Sequence, residues 1–295
     1  MEKEEKEKYF KAAEILKEAQ EKAKKMLKED VKILEVAESI EKLIEEKGAK
    51  PAFPANLSFN NEAAHNTPSI NDERTLKSTD LLKVDLGAQI DGFIVDASFS
   101  INLSNEFNEL IKATENALNE GIKAVKEDLS LGEIGERIEN TIKEAGFKPI
   151  QNLTGHGLEK YNQHAKPSIP NISKKDERHL SDGVYAIEPF ATNAIENFVV
   201  ESSRTEIYGF NERKPLRDLK AKKILEFAEK NKLPFAERWL QKLNLSEFER
   251  KIALKQLIQT KALNAFPVLK VKEGFLVAQS ETTILIDEGK IIKLL

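Results

Sequence analysis

The sequence contains no cysteine. Disulfides, iron–sulfur clusters, thiolate zinc sites and a cysteine nucleophile are therefore excluded. Histidine is nearly as scarce. His65, His156, His164 and His179 are the only four in 295 residues. Any histidine chemistry must use them, and any metal site must be rich in carboxylates. A dominant charge is missing too: 46 basic residues face 50 acidic ones, a net of −4. That balance argues against a general nucleic-acid or membrane-surface binder. No apolar run approaches a membrane span, and the opening MEKEEKEK is too charged for a signal peptide. The expectation is a soluble, cytoplasmic protein. Abundant Lys and Glu with two Met is a heat-adapted composition, and equally what AT-rich codon usage gives.

What is present suits a full hydrophobic core in one large domain or two ordinary ones. Residues 1 to 29 read as a helix with Tyr9, Phe10, Ala13, Ile15, Leu16 and Met26 as apolar positions. Asp30 is placed to cap a second helix with the stripe Val31, Leu34, Ala37, Ile40 and Ile44, closed by Gly48. Residues 51 to 68, poor in charge and holding Phe53 and His65, read as an irregular loop. Residues 81 to 100 predict a β-hairpin turning at Asp91-Gly92. Two helices follow, the second stopped by Gly146, then a loop with His156 and His164 and a strand over 184–190. Residues 213 to 263 read as helical, and strands return to the end with a turn at Glu288-Gly289. This predicts an α+β chain: a domain over 1–208 and 266–295, and an inserted helical subdomain over 209–265.

The hairpin is the most informative piece. A two-residue turn at Asp91-Gly92 sets Gly87 opposite Asp96 and Asp85 opposite Ser98. Asp85 and Asp96 then share a face as diagonal neighbours, with Cβ atoms about 7 Å apart or less. A metal ion fits that gap, and Gly87 leaves room for a ligand. The other face carries Leu82, Val84, Leu86, Val95, Ala97 and Phe99 for the core. Two carboxylates on one core hairpin repel unless something positive lies between them. A solvated aspartate, or a pair with Lys83, is the plainer alternative. Glu188 and Glu281 each interrupt an apolar strand, and His156 stands between Gly155 and Gly157 on an accessible loop. Each alone is as easily an edge-strand or surface residue. Together, two Asp, two Glu and one His suit a pair of carboxylate-bridged divalent ions such as Mn, Co, Fe or Zn.

Six blocks carry a resemblance: PAFPANLSFNNEAAH (51–65), KVDLGAQIDGFIVD (83–96), LTGHGLEKYNQH (153–164), AIEPFAT (186–192), LPFAERWL (233–240) and AQSETTI (278–284). In order and spacing they resemble the type II methionine aminopeptidases, most closely the archaeal form. The resemblance implies the pita-bread fold, a curved antiparallel sheet flanked by helices, with a dinuclear metal site on its inner face. It implies metal-dependent removal of the initiator methionine from nascent chains with a small second residue. By motif, Asp85 would chelate one metal, Asp96 and Glu281 would bridge both, and His156 and Glu188 would bind the other. His65 and His164 match the substrate-facing histidines, Phe53 matches a wall of the methionine pocket, and Glu188 is also the proton shuttle. His179 matches nothing and is expected at the surface. Ser280 and Thr282 stand where the family usually has an aromatic residue and a histidine, and Gln163 where an apolar residue is usual. The expected partners are nascent N-termini and, transiently, the ribosome, for a monomer with no specific nucleic acid or membrane. Two other readings use the same fold: a non-catalytic binding protein, and a proline-directed aminopeptidase.

Overall fold

The computed structural model describes residues 1–295. Strands Leu81–Ile90 and Phe93–Asn102 form the expected hairpin, with Asp85 opposite Ser98 and Gly87 opposite Asp96. Asp91 and Gly92 both have positive φ, +52° and +91°, as a type I′ turn requires. Glu288 and Gly289 repeat the device at the last hairpin. The apolar face packs beneath helices Lys3–Met26 and Ile33–Glu46 in one core. The second helix starts at Ile33 with no side-chain cap, and Asp30 lies outside it at positive φ. Its buried stripe is Ile33, Val36, Ala37, Ile40 and Ile44, one register step from the expected one at its start. Phe10 is largely exposed rather than in the core.

Residues 51 to 68 are not an irregular loop. Asn56–Phe59 and Glu62–Ala64 are short strands, and Asn56–Phe59 pairs with the aspartate hairpin so that Asn56 faces Asp85. Buried Asn56, Ser58, Asn66 and Thr67 disguise the segment as a surface loop in the sequence.

A second layer repeats the scheme of two helices over a sheet. Helices Asn108–Lys126 and Leu131–Glu144 cover five antiparallel strands running Lys290–Lys293, Thr282–Asp287, Gly183–Ile187, Thr154–Glu159 and Asn162–Pro170. His156 and His164 lie on the last two of these, not on a loop. Glycines beside His156 serve close packing: a Cβ on Gly155 would meet the Ala186 carbonyl oxygen at 2.4 Å, and one on Gly157 the Lys166 oxygen at 2.6 Å. This is the α+β architecture expected, helices flanking curved antiparallel sheets.

Strands Val200–Phe210 and Leu263–Lys270 pair with each other. Between them lie helices Leu219–Asn231 and Glu247–Gln259, a 3-10 helix Glu237–Leu243 and a two-residue strand Phe235–Ala236. Ser246 and Glu249 form a reciprocal capping box at the last helix. No helix is long and apolar enough to cross a membrane.

Candidate metal centre

The five predicted ligands converge through two pieces of strand geometry. The first is the hairpin, whose alternation puts Asp85 and Asp96 on the face away from the helical core. The second is a shared break in two paired strands. Ile187 faces Thr282 and Phe190 faces Gln279, so at unchanged register Glu188 lies opposite Glu281. Neither glutamate is within a strand. The backbone of Glu281 instead exchanges both hydrogen bonds with Ser98, donating at 3.2 Å and accepting at 3.3 Å. Ser98 is the residue facing Asp85, so this exchange fixes Glu281 beside the aspartates. Thr283 strengthens the join: its hydroxyl accepts from the Asp96 N–H at 2.8 Å and donates to the Asp96 carbonyl at 2.7 Å.

Donor atoms of Asp96, His156 and Glu281 lie within 4.8 Å of one another. His156 Nδ1 faces the Gly157 carbonyl at 3.2 Å. A carbonyl only accepts, so Nδ1 carries the hydrogen and Nε2 presents its lone pair. That Nε2 is 3.4 Å from Glu188 Oε1. Burial pulls the His156 pKa down to about 3, with His164 adding to the effect, so the ring is neutral.

The carboxylates show the opposite strain. Burial pushes Asp85 up to about 7. Burial, then repulsion from Asp85 and Glu188, raises Asp96 well above the ordinary range. Glu188 and Glu281 are raised for the same two reasons. Lys83 does not relieve them: its Nζ donates to the Asn60 carbonyl at 2.9 Å. Gln163 and Gln279 offer only long contacts, to Asp96 at 3.4 Å and Glu281 at 3.3 Å. Buried Oδ1 atoms of Asp85 and Asp96 have no hydrogen-bond partner at all. Orphaned acceptors, clustered anions and a neutral imidazole lone pair fit divalent cations.

All five residues line one cavity of about 270 Å³ with His65, His164 and Phe53. His65 Nδ1 faces the Pro267 carbonyl at 3.3 Å, which leaves Nε2 as an acceptor. Burial lowers the His65 pKa to about 4 and lowers that of His164 as well. The space beside Gly87 belongs to Phe53 and not to a ligand, since a Cβ there would lie 2.3 Å from the Phe53 ring. Leu153, Phe190, Ile207, Pro234, Phe266 and Leu269 complete the apolar lining. Sequence reasoning missed these six, because they come from five separate segments with ordinary core composition. Of the three departures, only Gln163 reaches the cavity. Ser280 turns away to the Thr114 hydroxyl at 2.8 Å, and Thr282 donates to the Leu295 carbonyl at 2.9 Å. His179 is at the surface, 3.3 Å from Asp128.

Comparison with known proteins places the chain in a metallopeptidase family. The model of "Metallopeptidase family M24" matches residues 7–217. The methionine aminopeptidase of Archaeoglobus fulgidus is 45% identical over 98% of both chains. That of Methanocaldococcus jannaschii is 42% identical over 96% of both. Among solved structures, a thermophilic Arx1 superposes with a TM-score of 0.86 at 19% identity, covering 100% of this chain and 91% of that one. A methionine aminopeptidase from Thermotoga maritima gives 0.72 at 21% identity, covering 100% and 97%. These structural likenesses establish the pita-bread fold, and the sequence relatives establish the family. The chain belongs to the metallopeptidase family M24 and, within it, to the methionine aminopeptidases.

Proposed function

We propose that two divalent ions of the Mn, Co, Fe or Zn class are held in this cavity by Asp85, Asp96, His156, Glu188 and Glu281, for removal of the N-terminal methionine from nascent chains and peptides with a small second residue. The observation that carries this is the convergence of four carboxylates, Asp96 and Glu281 buried and Asp85 and Glu188 only partly exposed, with no Lys or Arg among their partners. Asp85 would serve one ion, His156 and Glu188 the other, and Asp96 and Glu281 both. When bound, such ions supply Lewis acidity that brings the pKa of water toward neutrality.

The chain's own residues supply the rest. Glu188 is placed to carry a proton to the leaving amine. His65 offers the Nε2 acceptor to the peptide backbone, and neutral His164 donates toward the developing oxyanion. Phe53 and the apolar lining receive the methionine side chain, where each methylene is worth about 1–3 kcal/mol.

Two companion readings belong to the same proposal. Residues 209–265 act as an inserted helical subdomain, supported by a 14-residue core drawn almost entirely from Leu216–Leu263. A transient ribosome contact by a monomer is supported by that insertion's charge. Its 14 Lys and Arg exceed its 7 Asp and Glu, while the rest of the chain is acidic, with 32 against 43.

The test is methionine release from Met-Gly and Met-Ala peptides against Xaa-Pro peptides, with Mn or Co added to chelator-treated protein. Metal-dependent release from the Met peptides alone is expected. Preference for Xaa-Pro would establish a proline-directed enzyme. Absence of turnover with less than one ion bound per chain would establish a binding protein.

A further inference from the structure

The insertion lines the cavity with Pro234 and is tied to the chain beside His65 through one buried ion pair. Arg238 lies on the 3-10 helix Glu237–Leu243 and is 4% exposed. One guanidinium nitrogen, Nη1, donates to Thr67 Oγ1 at 2.6 Å and to the Pro68 carbonyl at 3.0 Å. Its Nη2 donates to Glu41 Oε1 on the second helix. Glu41 in turn accepts from the Ala55 N–H at 3.0 Å and from Trp239 Nε1 at 2.8 Å. Thr67 Oγ1 completes the ring by donating to the Ala55 carbonyl at 2.8 Å. Both backbone groups of Ala55 and the start of the chain after His65 are thereby tied to one Arg–Glu pair.

His65 needs such a tie. Its φ is +62°, a backbone state that is costly for a non-glycine residue and persists only where neighbours over-determine it. Its ring makes a single bond, the 3.3 Å contact to Pro267. The Phe266 ring meets it edge-on, with centroids 5.9 Å apart. Ring direction otherwise follows from the backbone of 65–68, where Arg238 is a closer charged anchor than Arg204, which lies 3.5 Å from the Thr67 carbonyl.

We propose that Arg238, backed by Glu41, is a positioning residue for His65, through which the insertion sets the geometry of the substrate end of the cavity. It rests on the reading that His65 faces substrate. Arg238 touches neither cavity nor metal ligands, so metal affinity is independent of it.

The test uses Arg238→Lys and Glu41→Gln in the full chain. Lysine cannot span Thr67, Pro68 and Glu41 with one planar fork. Glutamine keeps the shape of Glu41 and removes the charge, so a folded variant survives if the lysine variant does not fold. Hydrogen exchange of metal-free protein should speed up over residues 51–68 and stay unchanged over the far hairpin strand 93–102, which does not pair with that segment. Mn²⁺ affinity should remain within about two-fold of wild type. Turnover number on a Met-Ala peptide should fall about ten-fold in the wild-type background and under about two-fold in His65→Ala. Equal falls in both backgrounds, a parallel loss of Mn²⁺ affinity, or unchanged exchange over 51–68 would overturn the proposal. A wild-type protein without turnover would fail the methionine reading, and exchange would still decide the role of Arg238.

Discussion

Glu41 and Glu281 are both buried glutamates, 8% and 5% exposed, yet their surroundings are opposite. Around Glu41 the carboxylate is answered: a guanidinium, an indole N–H and a backbone N–H all donate to it, and only the Arg238 Nε–H is left without a partner. Around Glu281 are three more carboxylates, a neutral imidazole and two glutamines at long range. The first arrangement already contains its cation, and its role is to hold the chain. The second is unfinished without cations, and its role is to receive them. Burial alone does not separate structural from functional carboxylates here. The sign of what surrounds them does.

That contrast can be broken from either side. Asp96→Asn should bring methionine release to background at any metal concentration, while metal-free variant protein at pH 8 melts no lower than wild type, because a repelling charge has gone. Peptide assay and melting curves check both halves. Glu41→Ala should do the reverse, costing about 3–5 kcal/mol in denaturant unfolding by leaving Arg238 buried and unpaired.

pH sharpens the same difference. Asp85 titrates at about 7 in the fold against 3.8 for an ordinary aspartate, so the folded state binds more protons between those values. Stability from this group is full below about 4 and is lost as pH rises through about 7, on the order of 4 kcal/mol. His65 and His156 act oppositely, since their lowered values favour the fold as pH rises. The informative quantity is therefore the stability difference between metal-free wild type and Asp85→Asn. Asp85→Asn should gain on wild type from pH 4 to pH 8, and saturating Mn²⁺ should reverse the gain. A flat difference would contradict the repulsion. Gly87→Ala should cost about 1–3 kcal/mol by forcing the Phe53 ring aside, and should raise KM for Met peptides. Smallest of all, Ser280→Ala should cost about 1 kcal/mol through its lost bond to Thr114, with turnover unchanged.

Legibility followed the range of the interactions. Asp85 and Asp96 could be placed from sequence because a type I′ turn fixes hairpin register, and register fixes which side chains share a face. Glu188 and Glu281 stood out as charges in apolar runs, but not as opposite members of a strand break, since that depends on Ser98 capturing the Glu281 backbone. His156 looked like a loop residue because its glycines suggested freedom. They are there because strands pass too close for a Cβ. The Arg238–Glu41 pair spans 197 positions, and no local pattern announces it. The same holds for the apolar lining, whose members carry no signal beyond hydrophobicity.

The most direct test of the unfinished carboxylate cluster is calorimetric titration of chelator-treated protein with Mn²⁺ near pH 7, in two buffers of different ionisation enthalpy. Uptake of two ions per chain with net release of protons is the predicted result, because cations displace protons that burial and repulsion hold on the carboxylates. Uptake of less than one ion per chain, with no proton release, would contradict it.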